Sequence, residues 1–112
     1  RSGAPKLTMA NFRVSAIAGQ RLDEIYAYTR EKWGDAQAEA YVRGLFDCFG
    51  RIARRELLWR AIPAAFGVDG YYVKCEHHYV YWRLLGDGTA GIVTILHERM
   101  HQMDRFRDDT AA

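Results

Sequence analysis

The spacing of apolar and polar positions changes several times along the chain, and each change predicts an element. Asn11–Ser15 (NFRVS) alternates, which places Phe12 and Val14 on one face of a short first strand. From Ala16 the spacing becomes helical: Ala18, Leu22, Ile25, Thr29 and Trp33 form one amphipathic stripe. Gly34 stands where a left-handed helix cap is wanted, and Asp35 follows as a natural N-cap for a second helix. That helix carries Ala38, Tyr41, Val42, Leu45, Phe46, Phe49, Ile52 and Ala53 at i, i+3, i+4, i+7. A one-residue hinge leaves a helical hairpin whose two stripes face a common partner. Arg21, Asp23, Glu24, Glu31, Glu39, Arg43 and Arg51 fall on the opposite faces and read as solvated charges.

Residues 54–67 are irregular, with Pro63 marking a break. Three aromatic or β-branched runs follow: Tyr71–Cys75 alternates, Tyr79–Leu85 is nearly continuous, and Ile92–Leu96 is again apolar-rich. The turns between them are Glu76–His78 and the glycine-rich Gly86–Gly91. A continuous run fits a central strand covered on both faces, and alternating runs fit half-buried neighbours. Met100, Met103 and Phe106 then recur at a spacing of three, as in a short terminal helix with a narrow apolar stripe. The predicted class is α+β: an N-terminal strand, a helical hairpin packed on an antiparallel-rich sheet, and a short C-terminal helix.

Composition narrows the partners. A chain of 112 residues suits one domain, and 49% hydrophobic residues provide a core. A net charge of +2 lacks the basic excess of a dedicated nucleic-acid binder, though it leaves room for a local basic patch. The cysteines Cys48 and Cys75, with no CxxC spacing, read as reduced, buried thiols of a cytoplasmic protein. No apolar run approaches the roughly 18 residues of a membrane span, and no signal peptide is visible. Residues 1–8 (RSGAPKLT) read as a cloning remnant, with Met9 as the start of a domain covering 9–112.

One motif invites a metal. "HERMH", residues 97–101, spells H-E-x-x-H, in which two histidines four apart on a helix hold zinc and the glutamate activates water. Here His97 directly follows the strand-like IVTIL, and a strand end would send His97 and Glu98 to opposite faces. The motif specifies only three of its five positions, and no spacing rule makes His77 or His78 a third ligand. The expectation is no metal and no other cofactor.

A different reading covers more of the chain. "LDEIYAYTREKWGDAQAEAYVRGLFDCF" resembles the helical hairpin of ParE toxins, from the ParE/RelE superfamily of bacterial type II toxin–antitoxin systems. Leu22, Ile25, Tyr28, Thr29, the Trp33–Gly34 hinge, Gln37, Ala38, Tyr41 and Leu45 carry the likeness. "HHYVYWRL" is similar to the family's histidine-led central strand, and "IVTILHERMH" to its closing strand and Leu-His-x-Arg-Met ending. The pieces fall in the family's order from Phe12 to Phe106, and the glutamate and second histidine of HERMH then need no zinc chemistry.

The resemblance implies a RelE/ParE-like fold and a toxin that inhibits DNA gyrase by docking, without catalytic residues. Its partner would be a ParD-like antitoxin, forming a hetero-oligomer that meets DNA only through the antitoxin. The gyrase-directed tail would be His97, Arg99 and Met100, which match the motif, with Arg105 and Phe106 in the same tail. Met100 leans towards packing on the sheet; Met103 and Phe106 could pack there or insert into gyrase. Antitoxin anchors would be Trp59, Phe66, Tyr71 and Tyr72, with Arg51, Arg54, Arg55 and Arg60 for acidic side chains. Trp59 and Phe66 could equally close the bottom of the core.

The competing function is RelE-like cleavage of mRNA on the ribosome. That chemistry needs acid–base groups and cations around the phosphate, and the set would be Lys74, Arg83, His97 and Arg99. The chain lacks the dense lysine–arginine cluster such a site requires. A third reading is a degenerate relative that pairs with an antitoxin and poisons nothing.

Overall fold

A computed structural model describes residues 12–111; residues 1–8, Met9 and Asn11 lie outside the described residues. Strand β1 (Phe12–Val14) leads into helix α1 (Ala16–Trp33) and helix α2 (Asp35–Ala53). A connector reaches β2 (Arg60–Ala61) and a 3-10 turn (Ala64–Phe66), and then come β3 (Tyr71–Cys75), β4 (His78–Leu84), β5 (Ala90–His97) and helix α3 (Gln102–Thr110). The sheet order is β1-β5-β4-β3-β2. Only the β1–β5 pair is parallel, so the sheet is antiparallel-rich as expected.

Ser15, placed by its pattern in the first strand, instead caps α1. Its Oγ accepts from the Ala18 N–H at 3.0 Å and donates to the Val93 carbonyl at 2.8 Å. Gly34 joins the two helices at φ +94°, a region open to glycine and costly for other residues. Its N–H donates to Arg30 and its carbonyl accepts from Ala38, so this one residue closes α1 and opens α2. Asp35 is therefore the first helical residue, and its side chain makes no capping bond.

The hairpin buries Ala18, Leu22, Leu45, Phe49 and Ile52 against Val80, Trp82, Ile92 and Ile95 on one sheet face. Trp33 leaves the expected stripe: it ends α1 and is 68% exposed. On the second face Tyr81, Leu96, Ile62 and Phe106 form a smaller cluster under α3. A register shift opposite Tyr81/Trp82 inserts Val93 as an extra residue in β5. Ile92 and Ile95 consequently serve the hairpin side while Val93 and Leu96 serve the other. The IVTIL run is thus buried almost throughout, like β4, rather than half-buried.

Three further expectations are corrected. Arg21 is no solvated charge: its side chain is 14% exposed and is paired with Asp109, which is 3% exposed. The irregular segment after α2 contains β2, too short to show a pattern. Cys48 and Cys75 are joined in a disulfide instead of standing as free thiols, because α2 crosses the end of β3 with the two Cα atoms 6.5 Å apart. No helix among the described residues is long and apolar enough to cross a membrane.

Candidate functional site

Two surfaces gather the residues singled out by sequence. The first is a cleft of about 840 Å³ between the hairpin and the end of the sheet where β5 leaves it. Tyr28 and Trp33 of α1 stand along one wall, with His97, Arg99 and Met100 along another. Tyr41 of α2 and His78 of β4 also line it, linked by a short polar chain. The His77 backbone N–H donates to the Tyr41 hydroxyl oxygen at 3.1 Å, and that oxygen lies 2.7 Å from His78 Nδ1. With His78 neutral, the consistent assignment has the hydroxyl donating to Nδ1 and the ring hydrogen on Nε2. Register pairs His78 with His97, whose rings meet edge-on at 5.1 Å. The His97 Nδ1 accepts from the Arg99 N–H at 3.1 Å.

Electrostatics follow from this packing. Burial, with His97 and His77 nearby, pushes His78 down to about 4. Burial also raises the Tyr41 hydroxyl. Glu98 is held at about 2 by hydrogen bonds from Lys74 at 2.7 Å and His77 at 2.9 Å. A histidine that is easier to protonate unfolded than folded makes the fold acid-sensitive. The groups facing His78 are Tyr41 from α2, His97 from β5, His77 and Glu98. Stability is full above pH 6.5, falls as the pH drops towards about 4, and is constant in this term below that. The expected loss is up to about 3 kcal/mol. Urea midpoints between pH 7 and 4 test it: His78→Gln should flatten the profile, and an unchanged profile would discard this role for His78.

The HERMH stretch does not form the helical clamp. His97 ends β5, a turn follows, and His101 accepts from the Asp104 N–H as the N-cap of α3. Glu98 is already committed to Lys74 and His77. Among the described residues no three His, Cys, Asp or Glu side chains are placed to hold a metal ion. The ribonuclease set is also dispersed. His97 pairs with the first residue of β4 while Arg83 lies five residues further along that strand, about 17 Å away.

The expected gyrase-directed tail divides. His97, Arg99 and Met100 share the cleft, and Met100 is 38% exposed rather than packed on the sheet. Arg105 and Phe106 belong to α3 on the far face. Phe106 is 1% exposed, packed against Tyr81 and Phe66, and so offers nothing to a partner in this conformation.

The second surface is the α2–β2 connector. Neighbours on a strand point to opposite faces, so Tyr71 and Tyr72 separate. Tyr71 packs on Trp82 at 4.9 Å with Trp59 edge-on at 6.3 Å, whereas Tyr72 stacks on Tyr81 at 5.7 Å. Phe66 lies 6.1 Å from Tyr81, on that same face. The eight expected antitoxin anchors therefore occupy two faces of one sheet edge, and a partner touching all of them must wrap round β2. Arg54 donates to Glu56 at 2.7 Å, and Arg51 reaches the same carboxylate at 3.9 Å. Arg55 folds back on the end of α2, donating to the Ile52 and Ala53 carbonyls, and both Arg55 and Arg60 are exposed.

Sequence reasoning missed the Arg21–Asp109–Thr94 lock and the Nε1 of buried Trp82, which has no partner among the described residues. No local signal marks either, because each depends on which elements cross.

A hairpin thus covers one face of this mixed sheet and a short helix closes the other. A chain from the solved "chromosomal ParDE TA system" of P. aeruginosa superposes with a TM-score of 0.64 at 17% identity, over 80% of this chain and 97% of that one. The family described as "ParE toxin of type II toxin-antitoxin system, parDE" matches residues 12–102. Toxin ParE of Escherichia coli is 35% identical over 100 residues, covering 89% of this chain and 96% of the relative. Toxin ParE1 of Mycobacterium tuberculosis is 33% identical over 92 residues, covering 81% and 92%. The chain belongs to the ParE toxin family of type II toxin–antitoxin systems.

Proposed function

We propose that this toxin inhibits DNA gyrase in the cytoplasm by docking, and that a ParD-like antitoxin neutralises it by covering the α2–β2 edge. The observation that carries the gyrase reading is the gathering of His97, Arg99 and Met100 at one open cleft. Lys74 is neutralised by Glu98, and Arg83 stands at the other end of β4. A ribonuclease would need those cations converging on one phosphate. The antitoxin reading is supported by Leu58 at 95% and Trp59 at 42% exposure beside arginines that outnumber nearby acids. Large exposed apolar side chains next to cations suit an acidic, amphipathic partner.

Purified toxin added to a gyrase supercoiling reaction is expected to abolish supercoiling or accumulate linear cleaved DNA. Replacing Arg99 and Met100 together by alanine should weaken inhibition at least tenfold, as loss of contacts at an interface centre does. In a translating extract, primer extension should find no new mRNA ends. Codon-linked cuts that vanish in His97→Ala would replace this reading with the ribonuclease one.

A further inference from the structure

We propose that the indole N–H of Trp82 is a hydrogen-bond donor kept for the antitoxin, to be met by a carboxylate or carbonyl oxygen of an acidic segment seated on the α2–β2 connector. This rests on the antitoxin reading above and gives it a buried recognition point.

Trp82 is 1% exposed, and its Nε1 has no hydrogen-bond partner among the described residues. Native folds rarely leave a buried N–H unmet, since the donor has given up water for nothing. Besides the hairpin residues that bury it, three side chains sit on its ring. The Arg55 guanidinium lies 5.2 Å over it, Trp59 stands edge-on at 5.9 Å, and Tyr71 lies at 4.9 Å. This cover is shallow: Trp59 is 42% exposed and the adjoining Leu58 is 95% exposed.

Arg55 adopts φ +59° as the left-handed residue that closes α2, its N–H donating to the Ile52 carbonyl and the Glu56 N–H donating to the Arg51 carbonyl. Charge then selects the occupant. Arg51, Arg54, Arg55 and Arg60 stand in the connector and its flanks against the single acid Glu56, which Arg51 and Arg54 already share. A second copy of the toxin would bring the same cations to the patch, whereas an acidic segment complements them. Its oxygen reaches the indole while its apolar side chains cover Leu58 and Trp59.

The test uses full-length toxin and the antitoxin encoded beside it. Trp82→Phe keeps an aromatic ring and removes the N–H. The free variant should melt somewhat lower than wild type, because the smaller ring leaves a cavity, while antitoxin affinity should fall about tenfold. In wild-type toxin labelled with nitrogen-15, the Trp82 indole proton should move downfield and exchange more slowly when the antitoxin binds. Unchanged affinity in Trp82→Phe, or an indole resonance that does not move, overturns the proposal. Leu58→Ala and Arg60→Glu report separately on docking: if neither weakens binding, the antitoxin does not use this patch. If both weaken it and Trp82→Phe does not, the patch stands and the donor role falls.

Discussion

Reducing the Cys48–Cys75 bridge is expected to lower the stability of the free toxin by about 3.5 kcal/mol, the cost of reopening a loop of this length. The crosslink joins residues 27 apart and encloses the connector, β2 and the 3-10 turn, the least regular part of the chain. In an unfolded chain the bridge removes conformations that the reduced chain recovers, so its effect lies mainly in the unfolded state. For a domain of this size the melting temperature should drop on the order of 10–15 °C. Both cysteines are buried in the hairpin-side core, so reduction should proceed only when the domain opens. Oxidised protein and protein reduced in urea, refolded with reductant and verified by thiol alkylation, provide the comparison. Coincident melting curves for the two would remove the bridge from any account of stability.

The second large effect concerns the tail. Arg21 Nε donates to Asp109 at 3.1 Å, a second guanidinium N–H donates to the other carboxylate oxygen, and Thr94 Oγ1 adds a bond at 2.7 Å. Beyond the end of β1 this lock ties α3 to α1 around the edge of β5. Removing one partner of a buried pair leaves the other charge without compensation, a loss of about 3–5 kcal/mol. Arg21→Ala should therefore be severe, because it strands the Asp109 carboxylate at 3% exposure, while Asp109→Asn should be milder, because Arg21 keeps its ion pair with Glu24. Burial acts to raise the Asp109 carboxyl, but the hydrogen bonds from Arg21 and Thr94 outweigh it and hold it below the usual range. Its contribution is thus complete above the unfolded aspartate value of about 3.9 and disappears as the pH falls through the lower folded value. Urea unfolding at neutral pH and hydrogen exchange across Gln102–Thr110 measure the loss. A variant within 1 kcal/mol of wild type, with its terminal helix still protected, would show the lock to be dispensable.

The neutral state of His78 and the lock at Asp109 both weaken in acid, over different ranges. His78 acts between about pH 6.5 and 4, and Asp109 below about 4. Acid unfolding should accordingly begin around the cleft before the tail is released.

Much of the architecture was legible because local periodicity records burial. The hairpin was readable from Ala38, Leu45, Phe49 and Ile52, since a helix with one covered face must repeat its apolar residues every three to four positions. Strand β3 was read with its bounds intact and β4 to within one residue at each end, because aromatic and β-branched runs between turn residues have few other homes. The order of elements and the family likeness came from the same positions.

Surface residues were harder to place, for a related reason. A pattern says that a side chain is apolar or charged, but not which element lies opposite it. Phe106 looked like a candidate contact and became core once α3 lay on Tyr81. Trp33 looked like core and stands 68% exposed at a helix end. Arg21 looked solvated until the tail returned beside it, and Tyr71 and Tyr72 looked like one patch until the sheet sent them to opposite faces. The sequence by itself therefore determined which elements form, their order and the covered faces of the hairpin, because those depend on neighbours a few residues away. Only the tertiary structure decided the Cys48–Cys75 bridge, the Arg21–Asp109 lock, the unmet N–H of Trp82 and which anchors share a surface. The bridge and the lock join residues 27 and 88 positions apart, whose meeting is set by how the hairpin and terminal helix cross the sheet.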